Sequence, residues 1–247
     1  MKQIIQVEGI VLKTADFKEQ AVIATVLTKT ETKNYIIRGA KKITSGTRLL
    51  SVPLTKIQFN ATSTDGLDTI TEGIVLNTYN EIKTDINKMM VAYAIIEKVL
   101  VFSKQVTEPN TFYTFVSNIL DKIQSMNEED ALLAIFDLKL TYLIGIAPEL
   151  KYCLNCGEKS EHQYFSIYHG GVRCDACGGA TSHDLNDYET KSIQLLYYVK
   201  LDKVDAELLN IVKNDIPKIS NVIDYYYQQH LDFTSKVKTV KKSISQG

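Results

Sequence analysis

Apolar and polar positions alternate with a period of two over the first third of the chain, and near residue 80 the period becomes helical. Residues 4–12, 21–27, 33–38, 55–60 and 67–76 are short, β-branched runs that predict five strands. Ser45-Gly46 and Asp65-Gly66 supply turn chemistry between them. Five short strands in about 75 residues suit a small closed barrel better than a sandwich, which usually carries seven or more. An OB-fold and an SH3-like barrel both fit that count.

Beyond residue 84, Ile86, Met89, Met90, Tyr93, Ile96 and Leu100 line one helical stripe. Phe112, Phe115, Val116, Ile119, Leu120 and Ile123 line another, just after Pro109. Residues 130–144 are apolar nearly all round and predict a central helix, with Glu128, Glu129 and Asp130 at the end where negative charge is favoured. Gly145 and Pro148 stop it. Asn186 with Glu189 predicts a capping arrangement ahead of Ile193, Leu196 and Tyr197. Pro217 suits the first turn of a last helix through Ile219, Val222, Ile223, Tyr226, Tyr227 and His230. The three tyrosines at 225–227 cannot share one face.

Composition then bounds the class. At 247 residues, 45% hydrophobic and 23% charged, the chain is a folded protein with room for two domains. These divide into residues 1–80 and 81–247. No apolar run reaches membrane-spanning length, and Glu8 and Gly9 interrupt the place where a signal peptide needs its apolar core. A soluble, cytoplasmic protein is expected. No phosphate-binding loop, dinucleotide fingerprint, nucleophile elbow or H-E-x-x-H zinc-protease motif occurs, so an enzyme is not expected.

Net charge is only −1, yet it is unevenly placed: +3 over residues 1–80, −4 over 81–150, −3 over 151–190 and +3 over 191–247. From Lys33 to Arg48 the chain carries Lys33, Arg38, Lys41, Lys42 and Arg48 with no acid, and Tyr35 lies among them. A charged loop beside an aromatic on a barrel surface suits single-stranded nucleic acid, through backbone attraction and base stacking. The competing reading is a solvated lysine-rich loop over a core tyrosine. About five phosphate contacts would give a salt slope near −3.5 on single strands. Lys236, Lys238, Lys241 and Lys242 make the tail basic as well.

All four cysteines fall in two C-x2-C pairs, Cys153/Cys156 and Cys174/Cys177, separated by 17 residues. That spacing predicts a tetrahedral, structural zinc site, one Zn2+ per chain, in an insert at about residues 150–182. Gly157 and Gly178 follow the pairs and permit tight turns that aim backbone N–H groups at the thiolates. With four thiolates available, His162, His169 and His183 read as surface residues. Four protein ligands leave no open position, so the metal would fold the insert rather than catalyse.

Taken together, these segments resemble the RecO family of bacterial recombination mediators. GIVLKTADFKEQAVIATVLTKT (9–30) is similar to the family's opening strands, and IIRGAKK (36–42) to its Gly-Ala-basic loop. DGLDTITEGIVLNTYNEIKTDI (65–86) resembles the last barrel strand and its exit to helices. FDLKLTYLIGIAPELKYCLNCG (136–157) and GGVRCDACGG (170–179) resemble the helix and the two cysteine pairs, and YYYQQHLDFTSKVKT (225–239) the C-terminal helix. The turn at Glu31-Thr32 lacks the glycine expected there, and Lys41 and Lys236 stand where arginine is usual.

The resemblance implies an α+β protein: an N-terminal five-stranded OB-fold barrel, then a helical domain with an inserted four-cysteine, zinc-ribbon-like element. It implies binding of single- and double-stranded DNA, annealing of complementary strands, and assistance to RecA loading on strands coated with single-strand binding protein. The implied partners are RecR and the acidic C-terminal tail of the single-strand binding protein, at the nucleoid. The alternative is a zinc-stabilised RNA-binding or protein-interaction adaptor module.

Overall fold

A computed structural model describes residues 4–42, 45–62, 66–178, 181 and 184–239. The chain forms two compact units, Met1–Ser125 and Met126–Gly247. Asp65 and His183, and the tail lysines 241 and 242, lie outside the described residues.

Five strands, β1 (Ile4–Asp16), β2 (Ala21–Thr28), β3 (Thr32–Arg38), β4 (Thr55–Thr62) and β5 (Asp68–Asn77), close into a barrel in the order β1-β2-β3-β5-β4. β1 pairs antiparallel with both β2 and β4, and β3 closes on β5 in parallel, Tyr35 opposite Asp68 and Ile37 opposite Ile70. This Greek-key order is that of the OB-fold, which decides between the two barrels that strand count alone allows.

Period-two burial holds along β4, where Thr55, Ile57, Phe59 and Ala61 point inward and their neighbours outward. Ile57, Phe59 and Ala61 meet Val11, Val22, Val26, Tyr35, Ile37 and Ile70 in one core, which Leu50 joins from a 3-10 turn at Leu49–Ser51. At Gly9 a β-carbon would come within 2.9 Å of the Leu27 carbonyl, so only glycine lets β1 lie this close to β2. The glycine-free β2–β3 turn is organised by Thr28, whose hydroxyl donates to the Glu31 carbonyl at 2.7 Å and accepts from the Glu31 N–H at 3.1 Å.

Three helices belong to the same unit: α1 (Asn80–Thr84), α2 (Ile86–Phe102) and α3 (Pro109–Ser125). α3 docks on the barrel through a polar seam. Tyr113 donates to Glu8 Oε1 at 2.8 Å, and Lys56 Nζ donates to Ser117 at 3.1 Å. α2 starts at Asp85, whose carboxylate accepts from the N–H groups of Asn87 and Lys88. Its buried face shares only Ile96 with the stripe expected from the sequence. Val91, Ala92, Ile95, Val99 and Phe102 are buried, whereas Ile86 is 60% and Tyr93 39% exposed.

In the second unit α4 (Glu129–Leu143) is buried over nearly every position from Ala131 to Thr141, as its all-round apolarity requires. It packs against α5 (Asp187–Tyr198) and α7 (Ile216–Leu231), and a short α6 (Ala206–Val212) precedes α7. α5 opens with the reciprocal Asn186/Glu189 capping box. On α7, Tyr226 and Tyr227 turn inward and Tyr225 outward. Tyr227 donates to the Asp137 carbonyl at 2.9 Å, and Tyr226 to the Ile146 carbonyl at 2.6 Å. Between α4 and α5 stands a hairpin, β6 (Gln163–Ser166) with β7 (Gly171–Cys174), which carries the cysteines. No helix among the described residues is long and apolar enough to cross a membrane.

Candidate metal centre and nucleic-acid interface

The first cysteine pair sits on a turn set by Glu149, whose carboxylate accepts from the N–H groups of Lys151 and Tyr152 at 2.7 and 2.9 Å. Leu154, the residue after Cys153, donates its N–H to the Val172 carbonyl at 2.9 Å, fixing this turn beside β7. Gly157, at φ +74°, closes it by donating to the Cys153 carbonyl at 2.8 Å. The second pair starts at the end of β7 and continues into a 3-10 turn, Asp175–Cys177, that ends on Gly178 at φ +124°. Both glycines thus occupy backbone that L side chains rarely adopt.

The four sulfurs lie within 4.8 Å of one another, and those of Cys156 and Cys174 are 3.8 Å apart. A tetrahedron with metal–sulfur bonds of about 2.3 Å has edges of roughly 3.8 Å, so the donor set fits a metal of that geometry. Its chemistry fits too. Burial opposes charge on Cys153, yet N–H groups from Cys156, Cys174 and Asn155 overcome it and lower the thiol to about 6. Hydrogen bonds from the neighbouring thiols, Cys174 foremost, push Cys177 up to about 12. One ready thiolate among crowded thiols is an arrangement that a divalent cation relieves. His162 lies instead 3.4 Å from Asp187, and His169 hydrogen-bonds Ser166 at 2.9 Å.

Two side chains that sequence reasoning passed over hold the second turn. Arg173 donates to the Cys177 carbonyl at 2.7 Å, and Tyr164, directly opposite Arg173 in the hairpin, donates to the Gly178 carbonyl. Arg173 directly precedes Cys174, but its pairing with Tyr164 rests on the hairpin register, which the sequence alone does not mark. α5 secures the hairpin from behind. Thr190 accepts from the Phe165 N–H at 2.8 Å, and Asp187 from the Gln163 N–H at 3.0 Å. Lys191 foremost, with that N–H, holds the Asp187 carboxyl at about 2.

The basic segment of the barrel separates into two kinds of cation. Lys33 is paired with Asp68 at 2.8 Å, and Lys41 with Asp16 at 3.0 Å. Arg38, Lys42 and Arg48 are exposed, and among the described residues no carboxylate pairs with them. Their loop is held in shape by successive turns: Lys42, Ser45 and Arg48 donate their N–H groups to the carbonyls of Gly39, Lys42 and Ser45. Thr47 adds a bond to the Arg38 carbonyl at 2.9 Å.

Tyr35 is not beside them on the surface. It is 4% exposed and stands edge-on to Phe59 inside the barrel, ring centroids 5.1 Å apart, so its ring offers no face to a passing base. The alternation that places Lys33, Tyr35 and Ile37 on one face of β3 turns that face inward, and only the long Lys33 side chain reaches the rim. In the basic tail, Lys238 is likewise occupied, lying 2.9 Å from Asp137 and 2.7 Å from Asp224. A groove of about 590 Å3 runs between the β1–β2 loop and the exit of β3, lined by Phe17, Lys18, Glu19, Arg38 and Lys42 among others.

Comparison with known proteins agrees along nearly the whole length. Residues 1–79 match the family model "Recombination protein O N terminal", and residues 83–238 match "Recombination protein O C terminal". The chain is 28% identical over 242 residues to a DNA repair protein RecO of Bacillus pumilus, covering 95% of this chain and 92% of the relative. It is 27% identical over 236 residues to that of Bacillus subtilis (94% and 91%), and 26% over 228 residues to one of Listeria monocytogenes (90% and 88%).

Proposed function

The chain belongs to the RecO family, and from that premise we propose that it is a non-enzymatic recombination mediator in DNA repair. In this reading it binds single- and double-stranded DNA, anneals complementary strands, and with RecR helps RecA load onto strands coated with single-strand binding protein, whose acidic tail it contacts. It works in the cytoplasm, at the nucleoid. Residues 1–80 serve as the DNA-binding domain, and residues 81–247 as a helical domain around the metal insert.

The observation that carries the DNA-binding reading is the cluster of Arg38, Lys42 and Arg48, unpaired among the described residues on one turn-stabilised loop of the barrel. Lys41 and Lys33 join it to the extent that phosphate displaces Asp16 and Asp68. Annealing requires no bond chemistry. It requires that two polyanions be neutralised enough to meet, which a surface of guanidinium and ammonium groups does without ATP. Cys153, Cys156, Cys174 and Cys177 would hold one structural Zn2+, which supplies folding energy on the order of 10 kcal/mol to an insert with little core of its own.

The test is ATP-free annealing of complementary oligonucleotides coated with cognate single-strand binding protein, comparing wild type with Arg38→Glu/Lys42→Glu/Arg48→Glu, its fold checked by circular dichroism. Annealing by wild type and loss in the variant is the expected result. Equal annealing by both would move the DNA surface off the barrel loop. Failure of the wild type would overturn the mediator reading.

A further inference from the structure

Four aromatic residues lie in the first 80 positions: Phe17, Tyr35, Phe59 and Tyr79. Three are enclosed, Tyr35 at 4%, Phe59 at 1% and Tyr79 at 0% exposure. Phe17 is half-buried at the tip of the β1–β2 hairpin, between the exposed Asp16 and the exposed Lys18, Glu19 and Gln20, and its ring lines the open groove. The hairpin is closed by the Phe17 N–H, which donates to the Ala21 carbonyl at 3.0 Å. Lys18 adopts a left-handed φ of 39°, uncommon for a residue with a long side chain, and so places its ammonium 5.3 Å from the Phe17 ring centroid. Across the groove stand Arg38 and Lys42, and among the described residues Glu19 is the one acid of the lining.

We propose that Phe17 is the base-stacking platform of the barrel, with Lys18, Arg38 and Lys42 holding the phosphates on either side of the stacked nucleotide. This rests on the DNA-binding reading above and adds what that reading lacks once Tyr35 is found inside the core. An aromatic face in a cationic groove captures a base only when the base is unstacked from its neighbours. Phe17 therefore discriminates: it contributes to single-strand binding and not to duplex binding, where base faces are covered and only the phosphates are offered.

The chain contains no tryptophan, so Phe17→Trp places a unique fluorophore at the site. The full chain is titrated with an oligo-dT of about 16 nucleotides, the upper site size of one such barrel, and with a duplex of equal length. Phe17→Ala and Phe17→Leu are expected to weaken single-strand binding roughly 5- to 150-fold, the range of one stacked base, leaving duplex affinity and salt slope unchanged. Phe17→Trp keeps single-strand affinity, and its emission is quenched by oligo-dT and not by duplex.

Wild-type affinity in Phe17→Leu would make the ring an apolar plug of the barrel end and overturn the proposal. So would equal losses on single strand and duplex. If Phe17→Ala binds normally while Arg38→Glu/Lys42→Glu does not, the DNA-binding reading stands and only the stacking role falls. If the charge-reversed variant also binds normally, both fall.

Discussion

The Tyr113 hydroxyl donates a 2.8 Å hydrogen bond to Glu8 Oε1, tying the N-terminal part of α3 to the first strand of the barrel. Lys56 and Lys29 stand 3.5 and 3.6 Å from the same carboxylate, so one side chain collects contacts from α3, β4 and the β2–β3 turn. The barrel and α1–α3 accordingly form one compact unit that ends at Ser125.

Tyr113→Phe removes that hydrogen bond and is expected to cost about 1 kcal/mol, read as a lower denaturation midpoint at unchanged slope. Partial burial raises the Glu8 carboxyl, but Tyr113 and the two lysines outweigh it and hold the group below the ordinary carboxylate range. A depressed folded-state value gives stability that is present above the unfolded value and lost as pH falls through the folded one. Wild type should therefore lose more stability than Tyr113→Phe on acidification below about pH 4.

Cys153→Ser and Cys174→Ser each remove a buried thiolate donor. Metal content by mass spectrometry is expected to fall from one zinc per chain to near zero in both, with loss of protease resistance around the hairpin. A wild-type protein purified without zinc would count against the assignment.

Arg173→Ala leaves all four thiols in place but releases the Cys177 carbonyl. Support of this kind behind a metal ligand is worth roughly 10- to 100-fold in affinity. Competition with a chromogenic chelator should show a weakening in that range, and an unchanged affinity would make Arg173 a bystander.

The slope of log affinity against log salt on single strands is expected to include about −2 from Arg38, Lys42 and Arg48 together, at roughly 0.7 per contact. Lys33→Gln should leave the slope nearly unchanged, because its charge is already spent on Asp68 at 2.8 Å. Anisotropy titrations at several salt concentrations separate the two.

Lys238→Met leaves Asp137, which is 0% exposed, without its ammonium. Such a loss costs about 3–5 kcal/mol. The expected signature is a lower melting temperature with DNA affinity intact at temperatures where the variant is folded. A change in affinity alone would return Lys238 to the nucleic-acid surface.

The strands were legible because a closed barrel needs one face in and one face out, and the alternation of β4 records that directly. The buried face of α2 was not, because Lys88 and Lys98 lie on it, and buried ammonium groups read as surface in a hydrophobicity pattern. α1 and α6, at 5 and 7 residues, are too short to show a helical period. The cysteine spacing carried the metal site whole, whereas Arg173 and Tyr164 depend on a hairpin register that four-residue strands do not announce. Tyr35 shows the limit most plainly: alternation named its companions correctly and left open which side of the strand was the inside.

Lys238 meets Asp137 across 101 positions of sequence, and that contact orders events during synthesis. The barrel has all its strands once Asn77 is made, and can close while later codons are still being read. The second unit has no such early closure. Asp137, 0% exposed, waits for a residue made 101 positions later, so a chain stalled shortly before Lys238 would carry a finished barrel and an unfinished helical half.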